Sequence, residues 1–409
     1  MPTFKVHIIH VGNMANKGTQ ALLVSDVLVI REVARNDVFI SVSTTDVDGV
    51  KSLKLPLDAV TPPIIDIPYE KADFYAKRYG FNRHSFRYKA VAMISFCLMF
   101  IQAILSAFSV FLLKIGLKPL YRTNTLTYIK NCNLVISYSD ENFKEAASLL
   151  PLNIFWILTW WSMLVSRTWE IIVARLLGKP VIMFPNSVGP FRTFIGRLLS
   201  KIALDNCSVI LIREPISFKV VNSLKVRPLK ILTSDTSLLL GSLHKLNPAG
   251  KLRLTIGVCP GIYSHSVSQE VIEDYISAHA KALDSAIEKY DFSIVFLPHY
   301  ISGFKLDDLE ISKLIVDSMK YKERTKIICV RTIEEFRKWI SRMQIVVSSK
   351  MHPAVIAASE YVPFLFIAYD YKQTGFASSL GLHECVLSLQ EITYQRLSSK
   401  ISYVWENLE

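Results

Sequence analysis

The chain has 409 residues, of which 51% are hydrophobic and 20% are charged, and its formal net charge is +12. This composition excludes a mostly disordered chain, and 15 glycines exclude a collagen-like or glycine-rich repeat. At about 150 residues per domain, the length predicts two or three folded domains with sizeable cores.

Short β-branched runs alternate with helical segments along the whole chain. Runs such as 7–11 and 209–212 are apolar on both faces, a pattern typical of a parallel sheet covered by helices. The alternation predicts an α/β fold with two Rossmann-like domains, at 1–245 and 246–409, joined by a linker at 246–251. The predicted strands are FKVHIIHV, VFISVST, NLVIS, KPVIMF, SVILI and KILTSD in the first domain, and LTIGVCP, FSIVFLP, KIICV, QIVVSS and FLFIAY in the second.

An apolar and basic insertion, at about 71–130 and 149–166, interrupts the first predicted domain. Residues 90–113 carry no charge over 24 positions, which is long enough to span a bilayer, and residues 71–130 contain ten basic residues and one acid. Because strands are predicted on both sides of the run, a single crossing would place them on opposite sides of the membrane. Three interpretations stay open: a hairpin in one leaflet, a helix lying on anionic lipid, or a helix buried in a protein interior or oligomer interface.

Several features of the insertion favour the membrane surface. The run is apolar all round the helix, both of its flanks are basic, and Trp156, Trp160 and Trp161 follow nearby. The basic residues bracket apolar ones instead of alternating with exposed aromatics, which disfavours nucleic acid as a partner. We therefore expect a protein that is peripheral or monotopic at the inner face of the cell membrane.

The cysteines and the N-terminus indicate a cytoplasmic protein. The six cysteines are at least 35 positions apart, so no pair has CxxC or zinc-knuckle spacing, and we expect buried thiols in a reducing compartment. The first residues include one short apolar run but not the apolar core and cleavage site of a signal peptide. No metal site is expected, because His299 and His352 have no carboxylate or thiol at ligand spacing.

Candidate ligand-binding residues follow the predicted strands, since ligands bind beyond the carboxyl ends of parallel strands. The loop after the first strand contains Asn13 and Lys17, before a helix expected from Ala21, and it matches neither GxGxxG nor a P-loop. The PNSVGPF loop contains Asn186, and His299 ends another strand; either residue would contact a ligand or simply shape its turn.

Two further strands end in basic segments, Arg213-Glu214-Pro215 and Lys350-Met351-His352-Pro353, each with proline expected at the first helical position. A helix N-terminus with an adjacent cation can bind a small anion. Arg213 offers a bidentate fork, Lys350 a point charge, and His352 a proton near neutral pH. Ion pairing of Arg213 and helix capping by His352 are equally open interpretations.

Six segments in this order carry a resemblance to a known family: KGTQALL, NLVISYSD, GKPVIMFPNSVGPF, SVILIREPIS, LTSDTSLLL and VVSSKMHPAVIAASEYVPFLFIAYDYKQTGFASSLGL. Together they resemble the polysaccharide pyruvyl transferase family, from about Gly12 to Leu382. The resemblance implies a GT-B-like arrangement of two Rossmann-like domains around a cleft. It also implies transfer of a pyruvyl group from phosphoenolpyruvate to sugar hydroxyls as a cyclic ketal, with no separate cofactor.

The resemblance places Arg213, His352 and Lys372 at positions that the family uses. Lys350 stands where the family usually has arginine, which keeps the charge but loses the bidentate fork. The carboxylate and phosphate of phosphoenolpyruvate need cations, which Arg213, Lys350 and Lys372 would supply. His352 is the candidate acid for the methylene carbon.

The acceptor side of the expected site is less defined. Tyr138 and Ser139 stand where the family tends to have a Gly-Gly pair. Their side chains leave less room for a ligand to approach the backbone before Asp140. Asp140, Asp235 or Asp370 would accept the hydroxyl proton, although Asp235 is better explained as a helix cap. The candidate substrate-binding residues are Asn13, Lys17, Asp140, Asn186, His299, Asp370 and Lys372.

Two alternatives to a pyruvyl transferase stay open, a nucleotide-sugar glycosyltransferase of GT-B architecture and a catalytically degenerate glycan-binding relative. The partners expected are phosphoenolpyruvate, a saccharide acceptor that is lipid-linked or free, and an anionic membrane surface, with no nucleic acid. The sequence leaves open whether the chain forms a homo-oligomer. The donor site is expected where cations from both domains meet.

Overall fold

A computed structural model describes residues 4–35, 37–81, 85–145, 154–246, 250, 252, 254–262, 267–301, 303 and 306–407. The chain divides into two compact units. The first comprises Met1–Met14 and Leu22–Ser234, and the second comprises Ala15–Ala21 and Asp235–Glu409. Most of the predicted linker at 246–251 lies outside the described residues.

The described part of the first unit contains a seven-stranded parallel sheet in the order β3-β2-β1-β4-β5-β6-β7. The chain runs outward from β1 in both directions, as in a doubly wound Rossmann-like sheet. The strands are β1 (Phe4–Val11), β2 (Val38–Thr44), β3 (Ala59–Thr61), β4 (Leu134–Ser137), β5 (Val181–Asn186), β6 (Val209–Ile212) and β7 (Leu229–Leu232). The helices are α1 (Lys17–Val33), α2 (Val47–Ser52), α3 (Pro68–Tyr79), α4 (Phe86–Lys114), α5 (Thr123–Asn131), α6 (Ile154–Leu176), α7 (Phe194–Asp205) and α8 (Pro215–Ser223).

The second unit has, among its described residues, a six-stranded parallel sheet in the order β10-β9-β8-β11-β12-β13. Its strands are β8 (Thr255–Cys259), β9 (Ser293–Phe296), β10 (Thr325–Ile327), β11 (Ile345–Ser348), β12 (Phe364–Ala368) and β13 (Val386–Ser388). Its helices are α9 (Leu240–Leu243), α10 (Gln269–Tyr290), α11 (Asp308–Ser318), α12 (Ile333–Ile340), α13 (Met351–Ser359), α14 (Tyr371–Ser379) and α15 (Tyr394–Glu406).

The predicted α/β class with two Rossmann-like sheets is confirmed. Each predicted strand is present, and the short edge strands β3 and β13 are additional. The helix start expected at Ala21 is wrong, because α1 begins at Lys17. The Asn16 side chain accepts a hydrogen bond from the Gly18 amide at 2.9 Å, which caps the helix four residues earlier.

The proline expectation is half right. Pro215 is the first residue of α8, but Pro353 is the third residue of α13, not the first. The Lys350 amide donates to Ser348 Oγ at 3.1 Å, so the turn into α13 is made before the proline. Proline is tolerated there because the first N–H groups of a helix have no intrahelical partner.

The long apolar run forms α4, and the second apolar stretch begins α6, although 149–153 lie outside the described residues. Of the described helices, α4 is long and apolar enough to span a membrane, and 28% of its most apolar window is buried.

Candidate active site

Two histidines meet at the carboxyl edge of the second sheet. His299 follows β9, and His352 is the second residue of α13, directly after β11. Their rings are nearly parallel, with centroids 6.3 Å apart and planes 10° apart. His299 is 3% exposed, and within the described part of the chain neither of its ring nitrogens has a hydrogen-bond partner. A buried polar group without a partner costs free energy, so His299 is placed as if to face a bound group.

Three lysines concentrate positive charge around this histidine pair. Lys17 and Lys372 are each 6% exposed, and Lys350 follows β11. Burial, together with the charges of His352 and these three lysines, holds the pKa of His299 well below its ordinary value. His299 is therefore a neutral imidazole that can donate one hydrogen bond and accept another. A neutral imidazole N–H among buried cations is well suited to bind an anion.

Lys350 has a carboxylate partner. Its Nζ lies 3.3 Å from Asp308 Oδ1, and Asp308 Oδ2 accepts a hydrogen bond from the Tyr300 amide at 2.8 Å. Burial raises the pKa of Asp308, while the Lys350 charge opposes that rise. The lysine stem passes over Gly261, where a Cβ would lie 2.1 Å from Lys350 Cε. The absence of a side chain at Gly261 thus allows the position that Lys350 takes.

His352 also has a carboxylate nearby. Its Nε2 lies 4.0 Å from Asp235 Oδ2, and Asp235 caps the following helical turn by accepting from the Ser237 amide at 2.9 Å. The cap predicted for Asp235 is therefore confirmed. On the other side of the ring, a Cβ at Gly18 would lie 2.2 Å from His352 Nδ1, so only glycine lets the backbone approach this closely.

The segment Ala15–Ala21 carries Lys17 and Gly18 to this site. Asn16 forms an isolated antiparallel bridge with Tyr300. Gln20 Oε1 accepts from the Ile333 amide at 2.9 Å, and Gln20 Nε2 donates to Arg331 O at 3.3 Å. These bonds attach the segment to the second unit, whereas the sequence placed Lys17 only in a loop of the first domain.

Asp370 and Lys372 lie at the start of α14. Asp370 forms a capping box with Gln373, and Gln373 Nε2 donates to Ser349 O at 2.9 Å. These contacts fix the start of α14 against the strand end that precedes Lys350. Asp370 thus has a structural role, and its predicted substrate contact stays a prediction.

The remaining predicted residues belong to the first unit. Arg213 is 1% exposed, and its Nε donates to Ser187 Oγ at 2.8 Å. Asn186 Oδ1 accepts from the Asn142 amide at 3.1 Å, and Asn186 Nδ2 donates to Tyr138 O at 3.0 Å. Asn186, the last residue of β5, therefore joins the end of that strand to the loop after β4.

The acceptor-side expectations concern the same two loops. The Tyr138 ring is fully buried in the apolar core of the first unit. Asp140 is partly exposed, and its backbone carbonyl accepts from the Ser187 amide at 2.9 Å. Asn13 is exposed after β1. Substrate contacts of Asp140 and Asn13 stay predictions.

A buried polar cluster in the first unit was missed by sequence reasoning. His10 Nε2 lies 3.6 Å from Glu170 Oε2 and 3.0 Å from Arg167 O. Burial raises the pKa of Glu170 to about 7. His10 itself has a φ of 73°, a conformation that costs a non-glycine residue free energy. The signal available beforehand was a lone glutamate in the apolar helix α6.

The family assignment follows from comparison with known proteins. The family model described as Polysaccharide pyruvyl transferase matches residues 54–371. The chain belongs to the polysaccharide pyruvyl transferase family. Among curated proteins, the amylovoran biosynthesis protein AmsJ of Erwinia amylovora is 22% identical over 258 residues, which cover 58% of this chain. The match spans 60% of the length of that relative.

Solved structures share the fold. The UDP-GlcNAc 2-epimerase of Methanocaldococcus jannaschii superposes with a TM-score of 0.58 at 11% identity, covering 99% of this chain and 93% of the epimerase. The UDP-GlcNAc 2-epimerase of Neisseria meningitidis gives 0.55 at 12% identity, covering 99% and 94%. These similarities show the fold class, two Rossmann-like units of the GT-B-like type.

Proposed function

We infer that this member of the polysaccharide pyruvyl transferase family moves a pyruvyl group from phosphoenolpyruvate onto hydroxyls of a cell-surface glycan or a lipid-linked oligosaccharide. Family membership supports the general class of reaction. The observation that carries the donor assignment is the buried, unpartnered His299 among Lys17, Lys350 and Lys372. A donor with a carboxylate and a phosphate would bring negative charge to these lysines and would offer His299 a hydrogen-bond acceptor.

The lysines bind and orient the donor in this proposal. Lys17 and Lys372 lie buried near His299, and α13 adds the positive end of its dipole beside Lys350. Neutral His299 donates a hydrogen bond to an oxygen atom of phosphoenolpyruvate. The anion contact predicted for Arg213, which belongs to the first unit, stays a prediction.

His352 supplies the proton in the first chemical step. The oxygen of one sugar hydroxyl attacks C2 of phosphoenolpyruvate, the C2–C3 double bond opens, and C3 takes the proton from His352 to become a methyl group. The hydroxyl proton passes to a carboxylate, for which Asp235, 4.0 Å from His352, is the nearest candidate in the second unit.

A second hydroxyl closes the ketal in the next step. Its oxygen bonds to C2, the C2–O bond to phosphate breaks, and the proton leaves with inorganic phosphate. The net reaction converts phosphoenolpyruvate and two hydroxyls into a cyclic ketal and inorganic phosphate. We place this chemistry in the cytoplasm.

The test uses purified full-length protein, phosphoenolpyruvate and surface polysaccharide from the source organism that mild acid has freed of ketals. We expect inorganic phosphate to appear only when both substrates are present. His352→Gln should abolish the release, and His383→Gln, an exposed histidine of the same unit, should not. Release of nucleoside diphosphate from a nucleotide sugar, with none of phosphate from phosphoenolpyruvate, would contradict the proposal and indicate a glycosyltransferase.

A further inference from the structure

Helix α4 exposes apolar side chains and turns its polar ones inward, the reverse of an amphipathic helix on the surface of a water-soluble protein. Every exposed residue between positions 93 and 111 is apolar, whereas Ser95, Gln102, Ser106 and Ser109 are buried or partly buried. The exposed face consists of Met93, Ile94, Cys97, Leu98, Phe100, Ile101, Ile104, Leu105, Ala107, Phe108 and Phe111. We name this set the α4 face. Contiguous apolar surface of this extent marks an interaction site.

The polar side chains of α4 hold the helix against the first unit. Gln102 exchanges two hydrogen bonds with Asp66, at 3.0 and 3.1 Å. Ser106 Oγ accepts from Trp169 Nε1 at 2.8 Å, and Ser109 Oγ accepts from the Tyr121 amide at 3.0 Å. Near the N-terminus, Tyr88 donates to Asp73 at 3.0 Å.

This attachment along the helix excludes a simple transmembrane span. The chain before α4 forms β1, and the chain after it forms β4, and these two strands are neighbours in one sheet. Helix α4 also packs on α3 and α6 of the same unit. Helix α4 has 29 residues and is about 43 Å long. It can therefore lie lengthwise against a surface.

Charge at both ends of the α4 face indicates the kind of surface. Exposed Arg87 and Lys89 lie in the first turn, and exposed Lys114 and Lys118 lie at and beyond the end. The last turn of α3, which packs on α4, adds Lys77 and Arg78. A symmetric contact with a second copy would bring like charges together, at a cost in free energy. Phosphate headgroups neutralise them instead.

We propose that the α4 face lies flat in the headgroup region of an anionic membrane, with its apolar side chains in the acyl boundary and its terminal lysines and arginines on lipid phosphates. This proposal is independent of the reaction and would hold for any activity of the chain. It selects the interfacial helix from the three interpretations open at the sequence level. Trp161 contributes less to membrane contact than the sequence indicates, because its Nε1 donates to Glu145 Oε1 at 3.0 Å.

Vesicle flotation tests the proposal with the full chain. We expect binding to phosphatidylglycerol/phosphatidylcholine vesicles, and at least tenfold weaker binding to pure phosphatidylcholine. The double variant Ile101→Ser/Ile104→Ser, at positions 53% and 69% exposed, should lose at least tenfold in partitioning with its melting temperature unchanged. The matched control Val33→Ser/Tyr361→Ser, at positions 80% and 90% exposed, should bind as wild type.

A series of Lys→Gln variants measures the electrostatic contribution to vesicle binding. Lys114→Gln and Lys118→Gln should each weaken binding by about fivefold at low salt. Lys322→Gln and Lys326→Gln, exposed in the second unit, should have no effect.

A fluorescent label measures contact with lipid directly. Cys97 is exposed on the α4 face, and Cys329 is exposed in the second unit. In chains that keep one of these thiols, with Cys385→Ser, an environment-sensitive dye on Cys97 should shift to the blue with anionic vesicles, and a dye on Cys329 should not.

Three results would overturn the proposal: no vesicle binding by wild type, equal binding by the Ile101→Ser/Ile104→Ser variant, or equal dye shifts at both cysteines. Dimers that the same double variant dissociates, without vesicle binding, would assign the face to a second copy instead.

Discussion

His299 and His352 stack in the second unit with their ring centroids 6.3 Å apart and their planes 10° apart. Burial and neighbouring positive charge hold the pKa of His299 well below its ordinary value. His352 Nε2 lies 4.0 Å from Asp235 Oδ2. The pair therefore combines a neutral imidazole, His299, with an imidazole that lies beside a carboxylate, His352, the residue that delivers the proton in the proposed reaction.

Replacement of His352 should affect the chemical step more than donor binding. We expect His352→Gln to lower kcat by roughly 10²- to 10⁴-fold, the usual contribution of a general acid, with a small change in the KM for phosphoenolpyruvate. Steady-state phosphate release measures both constants. A kcat within threefold of wild type would remove His352 from the proton-transfer role.

Replacement of Lys350 should affect donor binding. Loss of a charge-assisted contact predicts a KM for phosphoenolpyruvate raised roughly 10- to 100-fold in Lys350→Ala. Gly261→Ala should raise KM as well, because its Cβ would lie 2.1 Å from Lys350 Cε and displace the side chain. Gly250→Ala is the matched control away from this contact, with nothing within 4 Å of its Cβ. Isothermal titration calorimetry with phosphoenolpyruvate should show weaker binding in Lys350→Ala and Gly261→Ala. Unchanged affinity in both variants would contradict the prediction.

Glu170 should make stability depend on pH. Its pKa is about 7 in the folded chain and 4.5 when exposed, so the unfolded chain binds fewer protons between these values. The contribution of Glu170 is therefore greatest at or below pH 4.5 and declines, by up to about 3 kcal/mol, as pH rises to 7.

Glu170→Gln removes this titration and keeps the oxygen that accepts from the Ile64 amide at 2.7 Å. The free energy of unfolding of wild type relative to this variant should fall between pH 5 and pH 8. Urea unfolding at both pH values measures it, and parallel pH profiles would show that Glu170 does not titrate in this range.

Arg337 should be a strong determinant of stability. It is 1% exposed, and its guanidinium lies 2.6 Å from Glu360 and donates to Leu240 O at 3.0 Å. Arg337→Met would leave Glu360 without its counter-charge, at a cost of about 3–5 kcal/mol. Glu360→Gln/Arg337→Met should recover part of this loss in chemical unfolding, and a single variant as stable as wild type would contradict the argument.

The sequence predicted the sheets well because long apolar runs dominate their central strands. β1 and β6 are apolar over most of their length. This pattern indicated strands of a parallel sheet that is covered by helices on both faces. β3 and β13 have three residues each at the sheet edges, and such short segments carry no distinctive pattern.

The site was harder to predict because its contacts join distant segments. Lys350 and His352 were singled out from strand ends and from the family resemblance, as was Arg213, whose role stays a prediction. The pairing of Lys350 with Asp308 and the attachment of Gln20 to Ile333 depend on tertiary structure alone. One signal was available and not used: Gln102, Ser106 and Ser109 recur at helical spacing, which predicts one polar face and hence the orientation of α4.

The most direct test of the account follows the fate of the donor carbon. The purified protein is given phosphoenolpyruvate labelled with carbon-13 at C2 and acid-treated polysaccharide, and carbon and phosphorus NMR are recorded together. The account predicts that a ketal carbon on the glycan and inorganic phosphate appear in equal amounts, and that both vanish in His352→Gln. Phosphate with free labelled pyruvate and no ketal, or no reaction of phosphoenolpyruvate at all, would contradict it.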